Sequence, residues 1–86
     1  MSEIIKIKSV EEALLILVGL TKHVEEWNQV PADDKELIHQ RMLLTIEALM
    51  DFAKPLLNPA RNELNAAISI IDSAKELEQL IKRLQF

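Results

Sequence analysis

Residues 9–27 read SVEEALLILVGLTKHVEEW. Within this stretch, apolar side chains recur at alternating steps of three and four positions. The residues concerned are Val10, Ala13, Leu17, Leu20, Val24 and Trp27. Such steps keep side chains on one side of a helix, so the pattern predicts an amphipathic helix. Ser9 and Glu12 have the spacing of a capping box, and Pro31 cannot continue a helix. We therefore expect the first helix at about 9–29.

The second helix is predicted between two prolines. Asp33 and Glu36 form another capping-box pair after Pro31, and Pro55 ends the pattern, which gives a helix at about 32–54. Its main apolar stripe consists of Ile38, Met42, Ile46, Leu49 and Ala53.

The third helix is predicted to begin at Asn58, because proline is favoured at the first helical position and Pro59 stands there. No breaker follows, so the helix should run over 58–85, about 42 Å at 1.5 Å per residue. It would be longer than the other two, and its end would project beyond them. Its apolar positions are Leu64, Ala67, Ile70, Ile71, Ala74, Leu77, Ile81 and Leu84.

Short connections of three to five residues make successive helices antiparallel neighbours. The chain of 86 residues is therefore predicted to be one domain, 1–86, with an all-α fold: a three-helix antiparallel bundle that associates into a larger helical bundle. Residues 1–8 are expected to form an extended arm, since no second strand is predicted to pair with them. The expected core consists of Leu17, Leu20, Val24, Trp27, Ile46, Leu49, Ala67, Ile71 and Ala74.

Composition argues against several classes of function. A net charge of −4 without a basic stripe disfavours nucleic acid as a partner. The absence of cysteine excludes disulfides and thiolate sites. The longest apolar run, residues 13–20, is far shorter than the roughly 20 residues of a membrane span, and no secretory signal begins the chain. We therefore expect a cytoplasmic protein with no membrane partner.

Catalytic patterns are also missing. Gly19 is the single glycine, which leaves no Gly-rich phosphate loop. Ser69 and Ser73 have no histidine in their half of the chain to act as a base. The sequence predicts neither catalytic residues nor a cofactor.

Four residues are the one candidate metal set. His23 and Glu26 on the first helix would lie opposite Glu36 and His39 on the second if the chain folds back about Pro31. Glu26, however, is about 160° from the centre of its helix's apolar face, at 100° per residue. We expect no tightly bound metal, and keep a His/Glu metal-binding bundle as the alternative hypothesis.

His39 also falls within the main apolar arc of the second helix. This position predicts a hydrogen-bonded, partly buried histidine. A contact that responds to pH is the functional alternative for the same side chain.

The most informative signal is a surplus of apolar faces. The first helix carries extra aliphatic residues on its polar side, and the second carries a second stripe, in which Ala48 joins Leu37, Leu44 and Phe52. A helix in a monomeric bundle needs one apolar arc, so the second arc is either covered by the third helix or meets another chain. The predicted partner or dimer interface consists of Leu15, Val18, Leu37, Leu44, Phe52, Leu80 and Leu84. Its centre is expected at Leu44 and Phe52 or at the end of the third helix.

The leading hypothesis is a non-enzymatic protein–protein interaction module that acts by docking helix against helix. Regulators, assembly chaperones and inhibitors work in this way, and the sequence does not choose among them. The expected partner is a second copy of the chain, in a homodimer, or another helical protein.

Overall fold

The computed structural model describes residues 6–60 and 62–85. Three helices account for most of this part of the chain: α1, Val10–Glu25; α2, Ala32–Ala53; and α3, Leu64–Lys82. Short 3-10 helices at Trp27–Gln29 and Lys54–Leu57 lie in the two connections, and no strand occurs among the described residues. The predicted all-α, three-helix bundle is confirmed.

The start of α1 is fixed by local hydrogen bonds. The backbone N–H of Glu12 donates to the Ser9 hydroxyl oxygen at 3.1 Å, as an N-cap requires. The carboxylate of Glu12 accepts from the backbone N–H of Lys8 at 3.2 Å, one residue before the expected donor. The predicted arm is described only from residue 6, because 1–5 lie outside the described residues, and Ile7 packs against the core.

The end of α1 comes earlier than the predicted residue 29. The helix stops at Glu25, and the chain continues as the tighter turn Trp27–Gln29. Val30 is extended, with φ −74° and ψ 129°, as expected of a residue that precedes proline.

The predicted capping box at Asp33 is wrong. The N-cap of α2 is Pro31, and no side chain caps that end. Asp33 and Asp34 instead lie in the first helical turn, where a negative charge is favoured by the helix dipole.

The predicted start of the third helix at Asn58 is also wrong. The side-chain oxygen of Asn58 accepts from the backbone N–H of Ala60 at 2.9 Å, which closes a local turn, and α3 begins only at Leu64. With 19 residues, α3 is about 28 Å long and shorter than α2, which has 22. The prediction that the third helix is the longest is therefore wrong, and the extra length from which its projection was expected is absent.

Two side-chain hydrogen bonds fix the helix directions. The indole N–H of Trp27 donates to the backbone oxygen of Gln85 at 2.8 Å, and Nε2 of His39 lies 2.9 Å from the backbone oxygen of Ile81. The end of α1 and the first half of α2 therefore both lie beside the end of α3. Successive helices are antiparallel, and α1 runs parallel to α3. α3 packs against both α2 and α1.

The core lies between the three helices. Its buried members are Ala13, Leu17, Leu20, Trp27, Met42, Ile46, Leu49, Ala53, Leu56, Ala67, Ile70, Ala74, Leu77 and Ile81. Of the nine predicted core residues, only Val24 and Ile71 are partly exposed. On α3 the buried stripe passes through Ile70 and not through Ile71. With Ile70, the steps from Ala67 through Ala74 and Leu77 to Ile81 alternate three and four throughout.

We refer to the two side-chain hydrogen bonds as the Trp27–His39 clasp. The ring of Trp27 is 4% exposed, and its centroid lies 6.3 Å from that of His39. The Lys35 ammonium lies 5.5 Å from the centroid of the indole, within the range of a cation–π contact. The clasp therefore joins the α1–α2 turn to the end of α3 through one buried aromatic ring.

Replacement of a core residue tests the packing. Ile46→Ala removes a fully buried side chain and should cost about 2–5 kcal/mol of unfolding free energy, and Leu17→Ala should fall in the same range. Leu37→Ala is the matched control, because Leu37 is 54% exposed on α2 and its loss should change stability by less than about 0.5 kcal/mol. Urea unfolding followed by circular dichroism measures all three. Losses below 0.5 kcal/mol at both core sites would contradict the assignment.

Replacement of Trp27 tests the clasp. Trp27→Phe keeps an aromatic ring but removes the N–H that donates to Gln85, so we expect a loss of about 1–3 kcal/mol. Urea unfolding by circular dichroism gives the free energy. Amide hydrogen exchange should show protection lost first in residues 80–85. Unchanged stability and unchanged protection there would show that the bond does not hold the end of α3.

Candidate interaction surface

A groove of about 610 Å³ lies between α1 and α3. Its floor consists of Leu17 and Leu77, which belong to the core, and its apolar walls consist of Leu14, Val18 and Leu80. The wall residues are 45%, 67% and 46% exposed. The groove thus presents aliphatic side chains to solvent on both sides of a buried floor.

The parallel packing of α1 on α3 produces this groove. Leu14, Val18 and Thr21 follow one side of α1 at intervals of four and three residues, and Ser73, Leu77 and Leu80 do so on α3. Residues from α2 do not line it. An α-helix presents anchors at the same intervals, so the shape and spacing match a helix laid into the groove.

The rim of the groove is polar. The Thr21 hydroxyl donates to the backbone oxygen of Leu17 at 2.9 Å and is satisfied within its own helix. The remaining rim residues on α3 are Ser73, Glu76, Gln79 and Arg83. An apolar floor and apolar walls within a polar rim are typical of a surface that buries apolar area against a partner.

The outer face of α1 continues the apolar walls. Leu15, at 72%, and Val18 are the most exposed large hydrophobic residues of the described chain. Gly19 follows them in mid-helix without a positive φ, and a Cβ atom there would meet nothing within 4 Å. Neither backbone conformation nor packing within the chain therefore requires glycine at this position.

The predicted interface residues on α2 do not lie on one exposed face. Leu37 and Leu44 are 54% and 55% exposed, whereas Phe52 is half-buried and packs against the core. Eight residues along a helix amount to a rotation of about 80°, which turns Phe52 away from the direction of Leu44 and places it against the core. A shallower groove of about 400 Å³ beside Leu44 lies between α2 and α3.

On α3, the predicted interface residues also separate. Leu80 is exposed in the groove, and Leu84 is partly buried against the core. Leu14 was not among the predicted interface residues, although it precedes Val18 by one helical turn. Because residues 14–18 are all apolar, the sequence does not indicate which of them face solvent. The position of α3 determines which residues are exposed.

The candidate metal residues are not brought together. His23, Glu26 and Glu36 are exposed, and the described residues include no group of three or more His, Asp or Glu side chains placed to hold a metal ion. Nε2 of His39 faces a carbonyl oxygen, which only accepts hydrogen bonds, so this nitrogen carries the proton. The prediction that His39 is hydrogen-bonded and partly buried is confirmed.

No described helix has both the length and the apolar content to cross a membrane. In comparisons with protein-family models, curated proteins and solved structures, no match was found. The proposals below therefore depend on the residues of this chain and their arrangement.

Proposed function

We propose that this protein is a small non-enzymatic interaction module of the cytoplasm, which binds a helix through the exposed apolar surface of α1 and α3. Four exposed aliphatic residues define this surface: Leu14, Leu15, Val18 and Leu80. The observation that carries the proposal is their arrangement around a groove whose floor is already part of the core.

The energetic argument concerns the apolar area that remains in contact with water. Burial of such area contributes about 25 cal/mol for each Å². An amphipathic helix in the groove would cover Leu14, Val18 and Leu80 together, and would extend the core outward from Leu17 and Leu77. The product is a four-helix arrangement, in which each helix buries its apolar face against its neighbours.

The partner implied by this surface is a helix with its own apolar stripe, from a second copy of the chain or from another helical protein. A net charge of −4 disfavours nucleic acid. Regulators, assembly chaperones and inhibitors are the classes that act by such docking alone. The metal-binding bundle remains the other hypothesis from the sequence, and no arrangement of the described residues favours it.

A pair of charge substitutions tests the surface. Leu14→Glu with Leu80→Glu places a carboxylate on each wall of the groove, and should abolish binding without unfolding the chain, since both residues are about half exposed. Leu37→Glu is the matched control, because Leu37 is similarly exposed on α2, away from the groove. The measurements are light scattering coupled to size exclusion, and affinity capture from the source cells.

The wild-type protein and the Leu37→Glu control should form a complex, with themselves or with a captured helical protein. The double variant should run near 9.8 kDa and capture nothing specific. Circular dichroism should show all three proteins equally helical. Equal association by all three proteins, or a wild-type protein that binds neither itself nor another protein, would contradict the proposed function.

A further inference from the structure

We propose that the occupant of the α1 surface is a second copy of this chain, whose α1 packs antiparallel to α1 of the first. In this arrangement Leu15 meets Val18 of the second copy, and Glu11 meets Lys22 of the second copy. The inference rests on the proposed function and adds the identity, direction and register of the bound helix.

The first step is a second seam on α1, on the side away from the core. Glu11, Leu15, Val18 and Lys22 follow one another at intervals of four, three and four residues, and all four are exposed. These intervals are those of a two-helix coiled-coil seam. The seam is separate from the buried stripe through Ala13, Leu17 and Leu20.

The second step is that the seam is self-complementary in one direction only. A twofold axis between residues 16 and 17 pairs Leu15 with Val18 of the second copy, and Glu11 with Lys22 of the second copy, each pair twice. A parallel pairing would instead place Glu11 against Glu11 and Lys22 against Lys22. The two Leu15–Val18 pairs are thus flanked at each end by a Glu11–Lys22 pair of opposite charges. These charges favour the antiparallel arrangement over the parallel one.

The third step concerns the charges at the two ends of the seam. Within residues 6–60 and 62–85, neither Glu11 nor Lys22 forms a salt bridge with another side chain. Both are therefore available to a second copy without loss of a contact inside the chain.

Gly19 is a separate observation that points to the same face. Glycine in mid-helix is less stable than alanine there, because the unfolded chain has more freedom to lose. A Cβ atom at position 19 would have no neighbouring atom within 4 Å, so packing inside the chain does not require glycine there. Gly19 lies beside the seam, next to Val18, where the absence of a Cβ lets another backbone come close.

The same contact also reaches the groove. In this register Leu14 lies on the groove side of the seam and meets Thr21 of the second copy. One antiparallel helix therefore covers Leu14, Leu15 and Val18, three of the four residues that define the proposed surface.

The exposed face of α2 lacks this complementarity. Pairing Leu37 with Leu44 of a second copy would place Asp33 against Ala48 and Gln40 against Arg41, so this register brings no opposite charges together at the ends of the contact. The observations therefore favour α1 over α2 as the self-association face.

A charge-swap series tests both the partner and the register. Glu11→Lys and Lys22→Glu each create two like-charge pairs in the dimer, and each should raise the dimer dissociation constant about tenfold or more. The double substitution Glu11→Lys with Lys22→Glu exchanges the charges and should restore the wild-type constant to within about threefold. Asp72→Lys and Lys75→Glu, exposed on α3 outside the groove, make the same changes of net charge and should have no effect. Sedimentation equilibrium over a concentration series gives the constants.

Gly19→Ala separates the dimer from the fold. Since a Cβ at this position meets nothing in the chain, the variant should unfold at a higher temperature at low protein concentration. It should nevertheless dimerise more weakly than the wild type, because the added methyl group keeps the second helix away.

Several results would overturn the inference. A wild-type mass near 9.8 kDa at several hundred micromolar would exclude the second copy. A dimer that the single charge substitutions do not weaken, or that the double substitution does not restore, would exclude this register. The proposed function would survive either result if the Leu14→Glu and Leu80→Glu variant still lost a complex that the wild type forms.

Discussion

The hydrogen bond from the Trp27 indole to the Gln85 carbonyl is the constraint on which the rest of the structure depends. The donor lies in the first connection and the acceptor beyond the end of α3, 58 residues later. Trp27 is 4% exposed, so loss of the bond would cost the desolvation of a buried polar N–H. His39 adds a second bond, to the Ile81 carbonyl, close to the C-terminal end of α3.

This clasp explains why one apolar surface remains open. It holds the ends of α1 and α3 together, so these helices run parallel and meet along Leu17 and Leu77. The core then lies on the side that α2 occupies, and the opposite side of the α1–α3 contact is left to solvent. Leu14, Val18 and Leu80 have aliphatic side chains of the kind found in a core. They are exposed because of the way in which the helices are joined.

Much of this architecture could be predicted from residue spacing. The stripes on α1 and α2 identified Leu17, Leu20, Ile46 and Leu49 as core residues, because steps of three and four positions determine a face wherever the helix ends. Helix ends depend on competing local bonds, and there prediction failed. Asn58 and Pro59 resemble a helix start, but the Asn58 side chain closes a turn with Ala60. α1 likewise ends four residues before the predicted end, where Glu26 leaves the helical conformation and residues 27–29 form a 3-10 turn.

The surface was harder to predict than the core. A surplus of apolar faces could be counted from the sequence, but the choice of exposed residue within 14–18 depends on the direction from which α3 approaches. In the sequence, Phe52 and Leu84 resemble members of a surface stripe, and only the packing of the helices places them against the core. Sequence periodicity describes one helix at a time. The exposure of Leu14 and the burial of Phe52 depend on how neighbouring helices pack against each other.

The central claim is that the outer face of α1 is a binding surface, and methyl NMR over a range of protein concentrations tests it most directly. The account predicts that the methyl signals of Leu15 and Val18 shift as concentration rises, while those of Leu37 and Leu44, exposed on α2, stay in place. Shifts confined to Leu37 and Leu44 would contradict the account and move the surface to α2. If the signals of all four residues stay in place up to millimolar concentration, α1 does not bind a second copy of the chain.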